Sequence, residues 1–326
     1  MTSDLKERVR SPVSQRAAEL VADRRAAAEE LGRALAERTG DPDDFTRTLA
    51  DGFRALADPD YQAGQHRVAP GLGPVFGVRW PLIEAVKRGF REETRRERTG
   101  QWLFLVDRLF REQELEFRWF AFGLLERLVL DDPERSWQLL RQAAREADDW
   151  ITVDALAHPI GKAILREPYR WAELEQLVFS ASRWERRLVG STIATLPFVD
   201  RGAGRSPDVA RHGLDLIDNL IGDAEPDVQK ALAWALRSLT LVDREAVARF
   251  CDREAQLAAE TSDGHRAWVI RDVLPKLSED RAAAIRGVLM PVRRRTGAPS
   301  TSRASATAAG FSGAIEGFVP PEPPLT

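Results

Sequence analysis

Apolar residues recur at helical spacing along almost the whole chain, and this periodicity constrains the fold more than any other feature. They return at positions i, i+3, i+4 and i+7, and no long stretch alternates as a β-strand does. Short breakers rich in Gly, Pro and Asp separate the periodic segments, and short connections make consecutive helices antiparallel neighbours. The sequence therefore predicts an all-α protein built from many medium-length helices.

Helix pairs that repeat over such a length are typical of an α-solenoid with a period of roughly 35–47 residues. Similar helices begin near Trp119, Trp184, Trp234 and Trp268, each with basic residues close by. Their separations are 65, 50 and 34 residues, of which the last two have the size of a repeat. We predict a HEAT-like α-α superhelix, which is a solenoid of stacked helix pairs.

Three segments follow from the distribution of helix breakers and apolar residues. Residues 1–44 read as an N-terminal helical extension, in which a first helix ends before Thr39 and a second begins near Pro42. Residues 45–290 form the HEAT-like domain, and its stretch 58–78, with four glycines and three prolines, predicts a long loop. Residues 291–326 lack periodic apolar content and predict a disordered tail.

Composition excludes several classes of protein. The 326 residues are 43% apolar and 30% charged, which excludes a disordered chain. There is no apolar run long enough to span a membrane and no secretory signal, so we expect a cytoplasmic protein. A single cysteine excludes an internal disulfide, and with only four scattered histidines beside it we expect no metal site. The sequence contains no nucleotide-binding motif, so we expect no cofactor. With a net charge of −3, a nucleic-acid binder must segregate its charges onto separate faces.

The segment around Trp150 carries the first candidate for chemistry. Trp150 and Asp154 are four residues apart and share one face of a helix, which Asp149 is placed to cap. Taken alone, the pattern also fits a tryptophan that covers a repeat joint and an aspartate in a surface ion pair.

Two more motifs follow in order, and two precede. Trp184-Glu-Arg-Arg187 opens a later helix, and Lys230-Ala-Leu-Ala-Trp234-Ala-Leu-Arg237 forms another. Upstream lie the stretches 76–81, Phe-Gly-Val-Arg-Trp-Pro, and 116–121, Glu-Phe-Arg-Trp-Phe-Ala. Over residues 45–280 this ordered set resembles the AlkD-like DNA alkylation repair family of HEAT-repeat alkylpurine DNA glycosylases.

The resemblance implies a DNA glycosylase of base excision repair that hydrolyses the N-glycosidic bond of N3- or N7-alkylated purines without a base-flipping pocket. It assigns the catalytic carboxylate to Asp154, the cleft tryptophans to Trp150 and Trp234, and the phosphate anchor to Arg187. These residue types suit the cleavage of an N-glycosidic bond. Positive charge develops on the deoxyribose as the bond breaks, and an anion beside the sugar stabilises that charge. Aromatic faces attract the cationic base, and arginine binds phosphate.

Spacing supports a common surface for these residues. Trp150 and Arg187 are 37 residues apart and Arg187 and Trp234 are 47 apart, about one repeat each, and equivalent positions of stacked repeats line one face. The resemblance implies that the concave face of the superhelix binds DNA, with double-stranded DNA containing alkylated purines as the partner, and we expect a monomer. The candidates for phosphate contact are Arg118, Arg141, Arg186, Lys230, Arg237 and Arg266.

Two other functions remain open at this point. The first is a non-catalytic AlkD-like binder of damaged or branched DNA, and the second is a HEAT-type scaffold for protein interactions. A carboxylate between two tryptophans favours the glycosylase, because an anion in a phosphate groove gives a pure DNA binder no advantage. The acidic character of the chain outside its basic tail favours the scaffold.

Overall fold

The computed structural model describes residues 12–293, and within that range it contains fifteen α-helices, several short 3-10 turns and no β-strand. The prediction of an all-α fold is confirmed. The chain divides into two compact units, residues 1–124 and 125–326. The predicted boundaries after residues 44 and 290 differ from this division and stay predictions. Most of the predicted tail, from residue 294 onward, lies outside the described residues.

The first unit is built around a close crossing of its first and fourth helices. Gly32 and Gly89 lie at this crossing, where an added Cβ would come within 2.1 Å of a carbonyl oxygen of the opposite helix. Glycine is therefore required at both positions, and the predicted N-terminal helix packs on the unit's core. The helices from the start of the chain are α1 (Pro12–Ala36), α2 (Pro42–Leu56), α3 (Pro59–Val68), α4 (Trp80–Glu93), α5 (Trp102–Phe110) and α6 (Leu115–Asp131), and the division between units falls within α6.

The long loop predicted over residues 58–78 is wrong in its first half, where α3 forms. The carboxylate of Asp58 accepts hydrogen bonds from the backbone N–H groups of Asp60 and Tyr61, and Pro59 occupies the first helical position. These two start signals outweigh the cost of Gly64 inside the helix, about 1 kcal/mol relative to alanine. Only residues 69–79 remain extended or irregular.

The second unit stacks its helices in two layers. One layer is the series α8, α10, α12 and α14, in which each helix packs on the next, and the helices α7, α9, α11 and α13 pack behind it. This arrangement confirms an α-solenoid for this unit, whereas its HEAT type and a concave DNA-binding face stay predictions. The helices are α7 (Pro133–Glu146), α8 (Trp150–Arg166), α9 (Trp171–Val178), α10 (Arg183–Val199), α11 (Pro207–Leu220), α12 (Pro226–Leu239), α13 (Arg244–Thr261), α14 (Gly264–Val273) and α15 (Glu279–Leu289).

Helix α10 is the most enclosed member of its layer. Every residue from 186 to 197 is buried, because α8 packs on one side and α12 on the other. Gly190 allows the close approach of α12, since a Cβ at this position would lie 2.8 Å from the backbone of Ala231. Polar side chains that α10 directs toward its neighbours are therefore held firmly and shielded from water.

Within residues 12–293, no helix has both the length and the apolar content needed to cross a lipid bilayer. The same residues contain no group of three or more His, Cys, Asp or Glu side chains arranged to hold a metal ion.

Candidate functional site

A capped helix start positions the first candidate residues. One carboxylate oxygen of Asp149 accepts a hydrogen bond from the backbone N–H of Thr152 at 2.8 Å, and the other accepts from the Thr152 hydroxyl at 2.6 Å. This confirms the predicted cap of α8. Trp150 is the first residue of the helix and is half-buried, and Asp154 follows one turn later on the same side.

The carboxylate of Asp154 is the centre of the site. Arg187 donates to both of its oxygens, from Nε to Oδ1 at 3.1 Å and from Nη2 to Oδ2 at 2.8 Å. The hydroxyl of Ser191 donates to Oδ1 at 2.6 Å. The Asp154 side chain keeps 21% of its surface exposed, against 6% for Arg187. The carboxylate is thus fixed from behind, by α10, and open in front.

Arg187 joins three consecutive helices of the layer. Its third donor, Nη1, bonds the backbone oxygen of Asp227 in the first turn of α12 at 2.6 Å. Its guanidinium carbon lies 5.9 Å from the ring centre of Trp150. These three donors are engaged and the side chain is buried, so Arg187 holds Asp154 in place, and its role as a phosphate anchor stays a prediction.

Trp234 lies on α12, the next helix of the layer beyond α10. After Pro226 at its first position, the half-buried or exposed residues of α12 are Asp227, Lys230, Trp234 and Arg237, which recur every three or four residues and form its open side. Trp234 therefore shares a side of α12 with Asp227, which contacts Arg187. The structure brings Trp150, Asp154 and Arg187 together, and the approach of Trp234 to Asp154 stays a prediction.

The region of the chain that contains these motifs matches a known protein family. The family described as DNA alkylation repair enzyme matches residues 49–264 of the chain. The chain belongs to this family. A solved structure described as a predicted DNA alkylation repair enzyme from Enterococcus faecalis is similar, with 16% sequence identity, a TM-score of 0.49 and coverage of 61% of this chain and 90% of that chain. No protein of curated function matches the sequence.

Ser191 is a residue of this DNA alkylation repair protein that sequence reasoning missed. It is completely buried and lies one turn after Arg187 on α10, so both side chains reach the same carboxylate. Its only signal in the sequence is the four-residue spacing from Arg187. Because small hydroxyl residues are common inside helices, that spacing gives no reason to single it out.

Two residues predicted to contact phosphate, Arg186 and Arg266, have side chains buried in ion pairs, and their role in DNA binding stays a prediction. Arg186 donates from Nε to Asp223 at 2.7 Å and from Nη1 to the backbone oxygens of Ser180 and Ala181. Arg266 pairs with the carboxylates of Glu254 and Asp263. A buried arginine with its acidic partners in place is structural, and breaking such a pair is costly.

The other predicted phosphate contacts remain predictions. Arg237 is half-buried and pairs with Asp272 on α14, and Lys230 is exposed. Arg141, on α7, is half-buried, and its Nη1 has no hydrogen-bond partner in the described part of the chain. Arg118 is half-buried on the part of α6 that belongs to the first unit.

The two upstream motifs of the family resemblance meet inside the first unit. The carboxylate of Glu116 accepts hydrogen bonds from the backbone N–H groups of Phe76, Gly77 and Val78 at 2.9, 2.8 and 3.0 Å. Gly77 has φ +83°, a left-handed conformation that favours glycine. Burial raises the pKa of the Glu116 carboxyl, although the three N–H groups act in the opposite direction. This contact fixes the irregular segment before α4.

Proposed function

We propose that this chain is a DNA glycosylase that hydrolyses the N-glycosidic bond of N3- or N7-alkylated purines in duplex DNA. The observation that carries the proposal is the Asp154 carboxylate, held by Arg187 and Ser191 and open to solvent beside Trp150. We expect the protein to act as a monomer in the cytoplasm.

The chemistry that suits this carboxylate is stabilisation of a cationic sugar. An alkylated purine already carries positive charge and leaves readily, so the departing base needs little acid catalysis. As the bond breaks, charge develops on the deoxyribose, and a fixed anion lowers the energy of that state more than the energy of the starting complex. The partly exposed carboxylate of Asp154 can also orient the attacking water.

Preorganisation supports the same reaction. Asp154 Oδ1 receives two donors and Oδ2 receives one, so Oδ2 retains more acceptor capacity for the sugar or for water. Because Arg187 and Ser191 are buried, the carboxylate does not need to reorganise when charge develops. Trp150 offers an aromatic surface to the cationic base, a contact of about 0.5–2 kcal/mol.

A second candidate function is the binding of damaged or branched DNA without cleavage. The ion pair with Arg187 favours it, because the arginine offsets part of the negative charge that catalysis would use. The third candidate, a scaffold for proteins, requires no DNA contact.

The decisive experiment incubates the protein with duplex DNA that contains 7-methylguanine and measures the free base released over time. The glycosylase proposal requires release faster than spontaneous depurination of the same duplex without protein. Tight binding of the modified duplex with release at the spontaneous rate would support the non-catalytic binder. Absence of binding at 50 mM salt, a condition under which phosphate contacts are strong, would support the scaffold.

A further inference from the structure

Helix α8 continues beyond Asp154 with three more side chains at intervals of four residues. They are His158, Lys162 and Arg166, and each is at least partly exposed. Residues four apart are neighbours on a helix surface, so together with Asp154 they form a row along the open side of α8. We call Asp154, His158, Lys162 and Arg166 the α8 row.

The free charge of the α8 row is positive. Asp154 is the only acidic residue of α8, and its charge is met by Arg187. Lys162 and Arg166 form no ion pair with any residue between 12 and 293. His158 lies between them and Asp154, with its Nδ1 3.3 Å from the carboxylate of Glu126 on α6. The row thus leads from the candidate catalytic carboxylate to two unpaired cations.

These two cations contrast with the arginines predicted from sequence motifs. Arg186 and Arg266 are buried and already neutralised, so neither can release counterions from a nucleic acid. Lys162 and Arg166 keep their charge available at the surface. Unpaired, accessible cations give a protein affinity for a phosphodiester backbone, because they neutralise phosphates and release the bound counterions.

Distances along the helix match a strand of nucleic acid. A helix rises 1.5 Å per residue, so successive members of the row are about 6 Å apart along its axis, and Arg166 lies about 18 Å beyond Asp154. A step of that size is similar to the distance between neighbouring phosphates of one DNA strand. A line of cations at this spacing can therefore follow one backbone.

We propose that Lys162 and Arg166 of the α8 row bind backbone phosphates of the DNA strand whose alkylated nucleotide lies at Asp154. The occupant of this surface is a phosphodiester backbone, and the inference rests on the proposed function for its substrate. Phosphate contacts fix register and orientation and carry no base information. The row thus positions the damaged nucleotide without reading the base.

The matched control is Arg91, near the end of α4. Like Arg166, it is an exposed arginine in the last turn of its helix, where a cation interacts favourably with the helix dipole. It also forms no ion pair with a described residue, but α4 belongs to the first unit and not to the layer that contains α8. Arg91 therefore shares the charge, exposure and helix position of Arg166, and differs in lying outside that layer.

The test measures the affinity for a duplex containing one 7-methylguanine between 50 and 200 mM salt. The double variant Lys162→Gln and Arg166→Gln should reduce the slope of log affinity against log salt by about two, at about 0.9 per lost contact. The advantage of the wild type over this variant should then shrink about tenfold across that salt range. Arg91→Gln should keep the wild-type slope, and Lys162→Arg should also keep it because the charge remains.

The proposal is overturned by a double variant that is well folded by circular dichroism and keeps the wild-type slope, or by an Arg91→Gln variant that loses an equal amount of slope. Base release by the wild type is measured on the same duplex. If the wild type releases the base and the double variant keeps the wild-type slope, the phosphate contacts are refuted and the glycosylase proposal is supported. If the wild type releases no base and the double variant has a reduced slope, the glycosylase proposal is refuted and the phosphate contacts are supported. If the protein does not bind the duplex at all, both proposals are refuted.

Discussion

Two carboxylates, one in each unit, receive three hydrogen bonds apiece from very different donors. Glu116 is completely buried and its donors are backbone N–H groups of residues 76–78. Asp154 is partly exposed and its donors are the side chains of Arg187 and Ser191. Neutral backbone donors around a buried acid fix a chain segment, whereas a cation and a hydroxyl behind an open acid fix its direction and leave its front surface accessible.

The comparison predicts its largest effect at the open carboxylate. Asp154→Asn keeps the shape and removes the charge, so single-turnover release of 7-methylguanine should fall about 100-fold or more. Binding of undamaged duplex should hold or strengthen, because a negative charge facing phosphate is removed. Asp215→Asn, on the exposed surface of α11, is the control and should behave as the wild type. Equal release by wild type and Asp154→Asn would refute the catalytic role.

At the buried carboxylate the expected effect is on stability. Glu116→Gln replaces one acceptor oxygen with an NH₂ group that faces backbone donors, so we expect a loss of about 2–3 kcal/mol in the free energy of unfolding. Urea denaturation measures it, with exposed Glu92→Gln on α4 as the control. A midpoint equal to that of the wild type would mean that the backbone segment does not depend on this acid.

A smaller effect is expected from the hydroxyl behind Asp154. Ser191→Ala removes one of the two donors to Oδ1, so the excision rate at saturating protein should fall about tenfold. Ser238→Ala, a buried serine on α12, controls for the loss of any buried hydroxyl. If both variants slow excision equally, Ser191 contributes to packing alone.

The smallest effect concerns pH. Because burial raises the pKa of Glu116 in the folded protein, the fold binds its proton more tightly than the unfolded chain does. Its contribution to stability is therefore fully present below the unfolded value, about 4.3, and is lost as pH rises through the raised folded value. The difference in unfolding free energy, wild type minus Glu116→Gln, should decrease over this window. An increase would contradict the assigned direction.

Local signals made much of the fold predictable. The periodicity predicted the helical class, and Asp149 and Pro42 marked two helix starts correctly. The missed helix α3 shows the limit of composition, because Gly64 and neighbouring prolines suggested a loop while Asp58 and Pro59 were enough to start a helix.

The candidate site was less predictable, because the role of a charged side chain depends on what surrounds it. Arg186 and Arg187 are adjacent and alike in sequence, but one turns to Asp223 and the other to Asp154. Neighbouring residues on a helix point about 100° apart, and the sequence does not say which direction meets an acid and which meets solvent. Burial of α10 between α8 and α12 decided both cases.

Because Arg187 on α10 contacts both α8 and α12, the site is sensitive to partial opening of the helix stack. In stacked repeats each element depends mainly on its neighbours, so the α12 end can separate while α8 and α10 remain folded. That separation removes the carbonyl of Asp227 from Arg187 and loosens the arginine behind Asp154. Heating or mild denaturant should then inactivate the protein before it unfolds, and amide hydrogens of α12 should begin to exchange at the temperature at which activity is lost.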